Sequence, residues 1–113
     1  ELVSGAWSQL GGDIDGDAAY DRSGWSVSLS ADAARLAIGA LENNGRRGHV
    51  RVFELVSGAW TQLGGDIDGE AAGDETGYSV SLSADGTRLA VGAPKNDDGG
   101  DNAGRARVFE LVS

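Results

Sequence analysis

Glu1-Leu-Val-Ser-Gly-Ala-Trp7 recurs letter for letter as Glu54-Leu-Val-Ser-Gly-Ala-Trp60, and Glu110-Leu-Val-Ser113 opens a third copy. The segments 9–16 and 62–69 are also identical, as are 26–32 and 79–85. The copies are spaced by about 53 and about 56 residues, which is close to the period of kelch-like and propeller repeats. The sequence therefore predicts a repeat architecture in which neighbouring units share one core.

The composition favours short strands over helices. Hydrophobic residues make up 40% of the chain and aromatic residues only 6%, while 19 of the 113 residues are Gly. Neither copy has enough apolar residues to bury a core alone, so the copies must pack against each other. Short apolar runs separated by Gly-rich turns predict strands.

Each copy contains four strand-like segments of alternating or apolar character. They are 25–30, 35–40, 49–56 and 59–63 in one copy, matched by 78–83, 88–93, 105–112 and 6–10. Four antiparallel strands per period are typical of a propeller blade. We predict an all-β fold of two four-stranded antiparallel β-propeller blades that need further copies to close a ring or extend an array. The period divides the chain into 1–53 for the first blade and 54–113 for the second, with Glu110–Ser113 beginning a third copy.

Small residues on neighbouring strands favour the stacking of one sheet on another. Ser26, Ser28, Ala37 and Gly39, with their copies, leave room for an adjacent sheet, and large side chains would fill the remaining space. The repeated Glu-Leu-Val-Ser motif at both ends predicts that the strand ending near Ser113 pairs with the segment beginning at Glu1 of a neighbouring copy.

Part of each copy resembles the FG-GAP (integrin α-type) propeller repeat. The resemblance lies in Gly24-Trp-Ser-Val-Ser-Leu-Ser-Ala-Asp32 with Leu36–Ala40, and in Gly77-Tyr-Ser-Val80 with Ala90-Val-Gly-Ala-Pro94. A Phe-Gly doublet, a Ser-Val strand and a Gly-Ala-Pro end mark each blade of that family. Here Ser23 and Thr76 replace the Phe. The resemblance implies a propeller fold and a role in adhesion, ligand binding or scaffolding.

Many blades of that family carry an Asp-rich calcium loop in the hairpin after the Ser-Val strand. The corresponding hairpin here is a short turn that holds only Asp32 or Asp85. The family's calcium site is therefore not carried over to this chain.

A different acidic segment is the candidate calcium site. Carboxylates alternate in a Gly-containing loop, as a hard cation with six to eight oxygen ligands requires, at Asp13, Asp15, Asp17, Asp66, Asp68 and Glu70. The alternative interpretation is a polar turn in which Asp side chains accept hydrogen bonds from backbone N–H groups.

Trp25 and Tyr78 are the candidate ligand-binding aromatics. Each follows a Gly at the start of a strand, so each ring is expected to lie on a blade rim, where it would stack on a sugar beside Asp21 or Asp74. The alternative is that both rings pack between blades, since aromatic side chains mostly supply buried area.

Charge and residue usage exclude several classes of function. A net charge of −9 argues against nucleic acid as a partner. The chain has no Cys and a single His, His49, which becomes Arg105 in the second copy, so nucleophilic and zinc catalysis find no support. No apolar run is long enough to span a membrane.

We therefore predict a non-enzymatic structural or interaction module of an extracellular or cell-surface assembly, whose partners are further copies or flanking blades. The alternative is a lectin-like or adhesive propeller that binds glycans at its rim loops, with Ca²⁺ as the candidate ion.

Overall fold

The computed structural model describes residues 2–3, 5–15, 23–40, 47–69, 73–94 and 104–112. All regular structure in these ranges is β-strand, which confirms the all-β prediction. The strands are β1 (Leu2–Val3), β2 (Ala6–Trp7), β3 (Ser23–Leu29), β4 (Arg35–Ala40), β5 (His49–Val56), β6 (Ala59–Gln62), β7 (Ile67–Asp68), β8 (Ser79–Leu82), β9 (Arg88–Ala93) and β10 (Arg105–Glu110).

The first large sheet, blade one, has the strand order β3-β4-β5-β6, and β7 also pairs with β5. All of these pairs are antiparallel. Strands β4 and β5 begin and end at the residues that the sequence pattern predicts. The boundary that the sequence period places between residues 53 and 54 lies inside β5, so the period and the sheet are out of phase.

The second large sheet, blade two, has the order β8-β9-β10 and is also antiparallel. Strand β10 matches β5 in sequence position, but no described strand pairs with its outer edge as β6 pairs with β5. The remaining strands, β1 and β2, form a separate two-stranded hairpin.

The same polar turn closes the first hairpin of each blade. The Asp32 carboxylate accepts hydrogen bonds from the Ser30 hydroxyl and the Ala34 N–H. Asp85 accepts the equivalent bonds from Ser83 and Thr87, whose hydroxyl adds a third. These donors lower the pKa of Asp85 to about 2, the Thr87 hydroxyl first among them. Each Asp side chain therefore stabilises the turn through hydrogen bonds, as its position in a short hairpin predicts.

Cross-strand partners place small and large residues on opposite faces of each blade. We call one the small-residue face: Ser26, Ser28, Ala37, Gly39, Val50 and Val52 in blade one, and Ser79, Ser81, Ala90, Gly92, Ala106 and Val108 in blade two. The other is the large-residue face: Val27, Leu29, Leu36, Ile38 and Phe53 in blade one, and Val80, Leu82, Leu89, Val91 and Phe109 in blade two.

The core lies where the small-residue face of blade one packs on the large-residue face of blade two. Ala37 and Val50 of the first blade contact Leu89 and Val91 of the second, and all four are buried. Val52, Val80, Leu82 and Phe109 pack around them, and so does Ile67. Two sheets that each expose one apolar face thus share a single core, as the repeat predicts.

Candidate interaction surfaces

The contact between the two blades is tight because small side chains let the backbones approach closely. The Ser26 hydroxyl donates to the Gly77 carbonyl at 2.6 Å, and the Leu82 N–H donates to the Ser28 hydroxyl at 3.0 Å. A Cβ at Gly39 would overlap the Gly77 carbonyl. The two serines therefore supply hydrogen bonds across the interface, and Gly39 leaves the space that this approach needs.

The large-residue face of blade one is the counterpart of a surface that is buried in blade two. Leu89 and Val91 are 4% and 2% exposed because blade one covers them. On blade one Val27 and Leu29, the counterparts of the half-buried Val80 and Leu82, are 61% and 54% exposed, whereas Ile38, the counterpart of Val91, is only 6% exposed. Residues 10–15 lie over the rest of this face, where Leu10 and Ile14 line a cavity of about 430 Å³ together with Val27.

The small-residue face of blade two is open in the same way. Ser79, Ser81, Ala90 and Ala106 are all exposed, and Val108 is 73% exposed. Their counterparts in blade one receive blade two. The described part of the chain thus presents one copy of each half of its own internal interface, a large-residue face at one side and a small-residue face at the other.

Two of the candidate calcium residues, Asp66 and Asp13, accept hydrogen bonds from protein side chains. Asp66 accepts from the Arg51 guanidinium at 2.8 Å and 3.1 Å, one bond to each carboxylate oxygen, and from the Gln62 amide at 2.7 Å. Arg51 first, and Gln62 second, lower the pKa of Asp66 to about 2. Asp13 accepts the equivalent amide bond from Gln9 at 2.9 Å. A cation at Asp66 would have to displace a guanidinium.

Three side chains that could act as metal ligands lie close together beside this ion pair. One ligand atom each from His49, Asp66 and Asp68 lies within 4.8 Å of the others. The sequence grouped the two carboxylates but not His49, which β7 brings close by pairing Asp68 with it. Asp17 and Glu70 lie outside the described residues, so calcium binding at 13–17 and 66–70 stays a prediction.

The two rim aromatics lie together across the boundary between the blades. The ring centroids of Trp25 and Tyr78 are 5.6 Å apart with a tilt of 49° between the planes. Both rings are about half exposed, so they contact each other and still present a surface to solvent. Asp74, four residues before Tyr78 in the sequence, is buried. Asp21 lies outside the described residues.

Residues 67–109 match the family model of the FG-GAP repeat. The match runs from β7 to the penultimate residue of β10, and it confirms the resemblance that the Gly-Tyr-Ser-Val and Gly-Ala-Pro motifs indicate. No curated protein matches the chain. The FG-GAP repeat is a non-enzymatic propeller repeat, typical of extracellular and cell-surface proteins. No described residue lies in a helix of the length and apolarity that would cross a membrane.

Proposed function

We propose that this chain is an extracellular structural module that stacks blades head to tail. The small-residue face of one blade receives the large-residue face of the next, and further copies of the chain are its partners. One observation carries this proposal: Ala37 and Val50, which blade two buries, have exposed counterparts in Ala90 and Ala106 at the outer face of blade two. At the other end, Val27 and Leu29 are exposed although their counterparts Val80 and Leu82 are half-buried between the blades.

Both outer faces have the chemistry of the internal interface. The sequence 26–32 is identical to 79–85, so the strand that blade two contributes to the interface is also present at the outer face of blade one. The small-residue face of blade two repeats the residue types that receive blade two in blade one. Its residues Ser79, Ser81, Ala90 and Gly92 correspond to Ser26, Ser28, Ala37 and Gly39. Because the two faces differ, the contact is heterologous, and such contacts form closed rings or open filaments.

Light scattering on the 113-residue chain tests the proposal. The wild-type chain is expected to form discrete rings or growing filaments, whereas Leu29→Asp and Val108→Asp are each expected to lose this assembly. The counterparts Leu82 and Val52 are half-buried between the blades, so a carboxylate at either position would lose much of its hydration without gaining a partner when blades stack, which is costly. Both positions are exposed in the single chain, so both variants should keep its circular dichroism spectrum.

A mixture of the two variants provides the matched control. Leu29→Asp keeps an intact small-residue face and Val108→Asp keeps an intact large-residue face, so one competent interface remains. The mixture is expected to give a complex of two chains that grows no further. A wild-type chain that stays monomeric at every concentration would refute stacking between copies. The same measurement with and without Ca²⁺ tests the predicted cation. Assembly that depends on calcium would support calcium binding at the segments 13–17 and 66–70.

The aromatic pair favours glycan binding as a second candidate function. Two half-exposed rings at 5.6 Å offer an amphipathic platform at the junction of the blades. A glycan array tests it: reproducible binding that is lost in Trp25→Ala and in Tyr78→Ala, but kept in Trp7→Ala, would support this function. Binding that survives both rim substitutions would place the ligand elsewhere.

A further inference from the structure

The outer edge of β10 matches a strand that the chain itself carries. Strand β5 pairs with β6 through Leu55↔Trp60 and Val56↔Ala59. The small hairpin repeats this register as Leu2↔Trp7 and Val3↔Ala6. The letters Glu-Leu-Val-Ser occur at 1–4, at 54–57 and at 110–113. The segment that follows β10 therefore offers β2 the same partner residues that β1 does.

Trp60 shows where the aromatic residue of such a strand belongs. Its indole N–H donates to the Leu10 carbonyl at 2.9 Å, and its ring lies against Gly11. The ring also lines a groove with Gly12, Ile14 and Phe53. Trp60 thus fixes the fourth strand of blade one to the segment that precedes the blade.

The corresponding place in blade two is a cavity. It has a volume of about 190 Å³ between the blades and is lined by Leu63, Gly65, Ile67, Leu82, Phe109 and Leu111, among others. Leu63, Gly65, Ile67 and Phe109 are the counterparts of Leu10, Gly12, Ile14 and Phe53 around Trp60. A cavity of about 150 Å³ lined by apolar side chains takes up a benzene ring, so this one has the size for an aromatic side chain.

Trp7 is the counterpart of Trp60 but is not packed in a comparable groove. It belongs to the two-residue strand β2 and is 84% exposed. A two-stranded hairpin is marginally stable by itself, whereas a strand added to a larger sheet gains a full ladder and a buried face. Strand β2 would therefore be stabilised by pairing with a larger sheet.

We propose that β2 of a second copy adds to the outer edge of β10 as the fourth strand of blade two, and that its Trp7 fills this cavity. In that complex the Trp7 indole N–H donates to the Leu63 carbonyl, as Trp60 donates to Leu10. Leu111 and Val112 replace Leu2 and Val3 as the partners of β2. This inference rests on the proposed stacking of copies and adds the residue that locks one copy to the next.

Engineered cysteines test the register, because these 113 residues contain no Cys. Glu54 pairs with Thr61 in blade one, so the equivalent pair between copies is Glu110 with Ser8. Opposed residues of antiparallel strands lie about 4.5–5.5 Å apart, within reach of a disulfide. A mixture of Ser8→Cys and Glu110→Cys chains is expected to cross-link into heterodimers. Arg107→Cys, about 10 Å further along β10, is the off-register control and should not cross-link to Ser8→Cys.

Substitutions at Trp7 test the anchor. We expect Trp7→Ala to weaken association about 30-fold or more, as truncation of a buried aromatic anchor does. Trp7→Phe keeps a ring but loses the N–H donor and should weaken it about fivefold. Val56→Ala, which truncates a half-exposed side chain of β5 outside the cavity, should leave association unchanged.

Failure of the anchor differs from failure of stacking. If copies assemble without the Ser8–Glu110 cross-link, or if Trp7→Ala associates as tightly as the wild type, the strand exchange is wrong and face-to-face stacking stands. If the wild-type chain is monomeric throughout, both proposals fall. Cross-linking together with weakened association of Trp7→Ala would support both.

Discussion

Gly39 and Gly92 occupy equivalent repeat positions, but only Gly39 lies at the interface between the two blades. A Cβ on Gly39 would overlap the backbone carbonyl of Gly77 in the neighbouring blade. A Cβ on Gly92 would meet only the hydroxyl of Ser79 at close range, and that hydroxyl can rotate away. The same residue type at the same repeat position is therefore constrained in one copy and free of that constraint in the other.

We predict that Gly39→Ala destabilises the chain and that Gly92→Ala does not. Overpacking at a closed interface costs about 1–3 kcal/mol, so the urea midpoint of Gly39→Ala should fall with an unchanged slope. Gly92→Ala should unfold near the wild-type midpoint when measured on dilute protein. Equal losses of stability in both variants would show that the intrinsic strand propensity of Ala and Gly, and not the contact with Gly77, sets the change in the free energy of unfolding.

Some residues of the candidate sites could be read from the sequence and others could not. The alternation of Ser and apolar residues in 26–29 was enough to predict a stacking face, because cross-strand neighbours share a face. The burial of Asp74 was not predictable, since it depends on the local path of the chain. There Glu75 has a φ of +57° and the Thr76 N–H donates to the Arg47 carbonyl. From sequence alone, an acidic residue near a Gly is predicted to be exposed; only the path of the backbone shows that Asp74 is buried.

At the scale of elements, Arg51 and Asp66 connect β5 to the segment that leads into β7. The sequence predicts neither the partner nor its effect, because the two residues meet only after β7 folds back on β5. That fold-back also brings His49 to Asp68. The bounds of β4 and β5 were predictable, since apolar runs and Gly-rich turns are local signals. The short strand β7 was not predicted, and an ion pair between distant segments depends on register.

We predict that Asp66→Asn lowers stability at neutral pH and flattens its acid dependence. The pKa of Asp66 is about 2 in the folded chain, below its ordinary value of 3.8. Its contribution is therefore fully present above about pH 4 and is lost as the pH falls towards 2. Because the pair is partly exposed, the loss at pH 7 should be only about 0.5–1 kcal/mol.

Urea unfolding between pH 7 and pH 2 measures this contribution. The wild-type and Asp66→Asn curves should differ at neutral pH and converge near pH 2, where the wild-type carboxylate is also protonated. Asp13→Asn is the control, because Asp13 accepts the same amide bond from Gln9 but forms no salt bridge within the described residues. An Asp66→Asn curve that runs parallel to the wild type down to pH 2 would contradict the assignment.

At the scale of the whole molecule, one interface pattern occurs once in full and once as two separate halves. It is complete between the blades, present as a large-residue face on blade one and present as a small-residue face on blade two. The repeat in the sequence predicted that the copies stack. It did not predict which faces stay open, because identical letters are buried in one copy and exposed in the other. Only the three-dimensional arrangement makes that distinction.

Stacking between copies predicts that stability depends on protein concentration. Association stabilises the folded state by mass action, and raising the concentration from near the dissociation constant to about 100-fold above it adds about 2 kcal/mol. For a domain of this size that raises the unfolding temperature by roughly 10 °C. Scanning calorimetry over this range should show the rise for the wild type. Gly92→Ala blocks the small-residue face without disturbing the single chain, so its unfolding temperature should not change with concentration. A variant that keeps the wild-type dependence would mean that the copies associate through another surface.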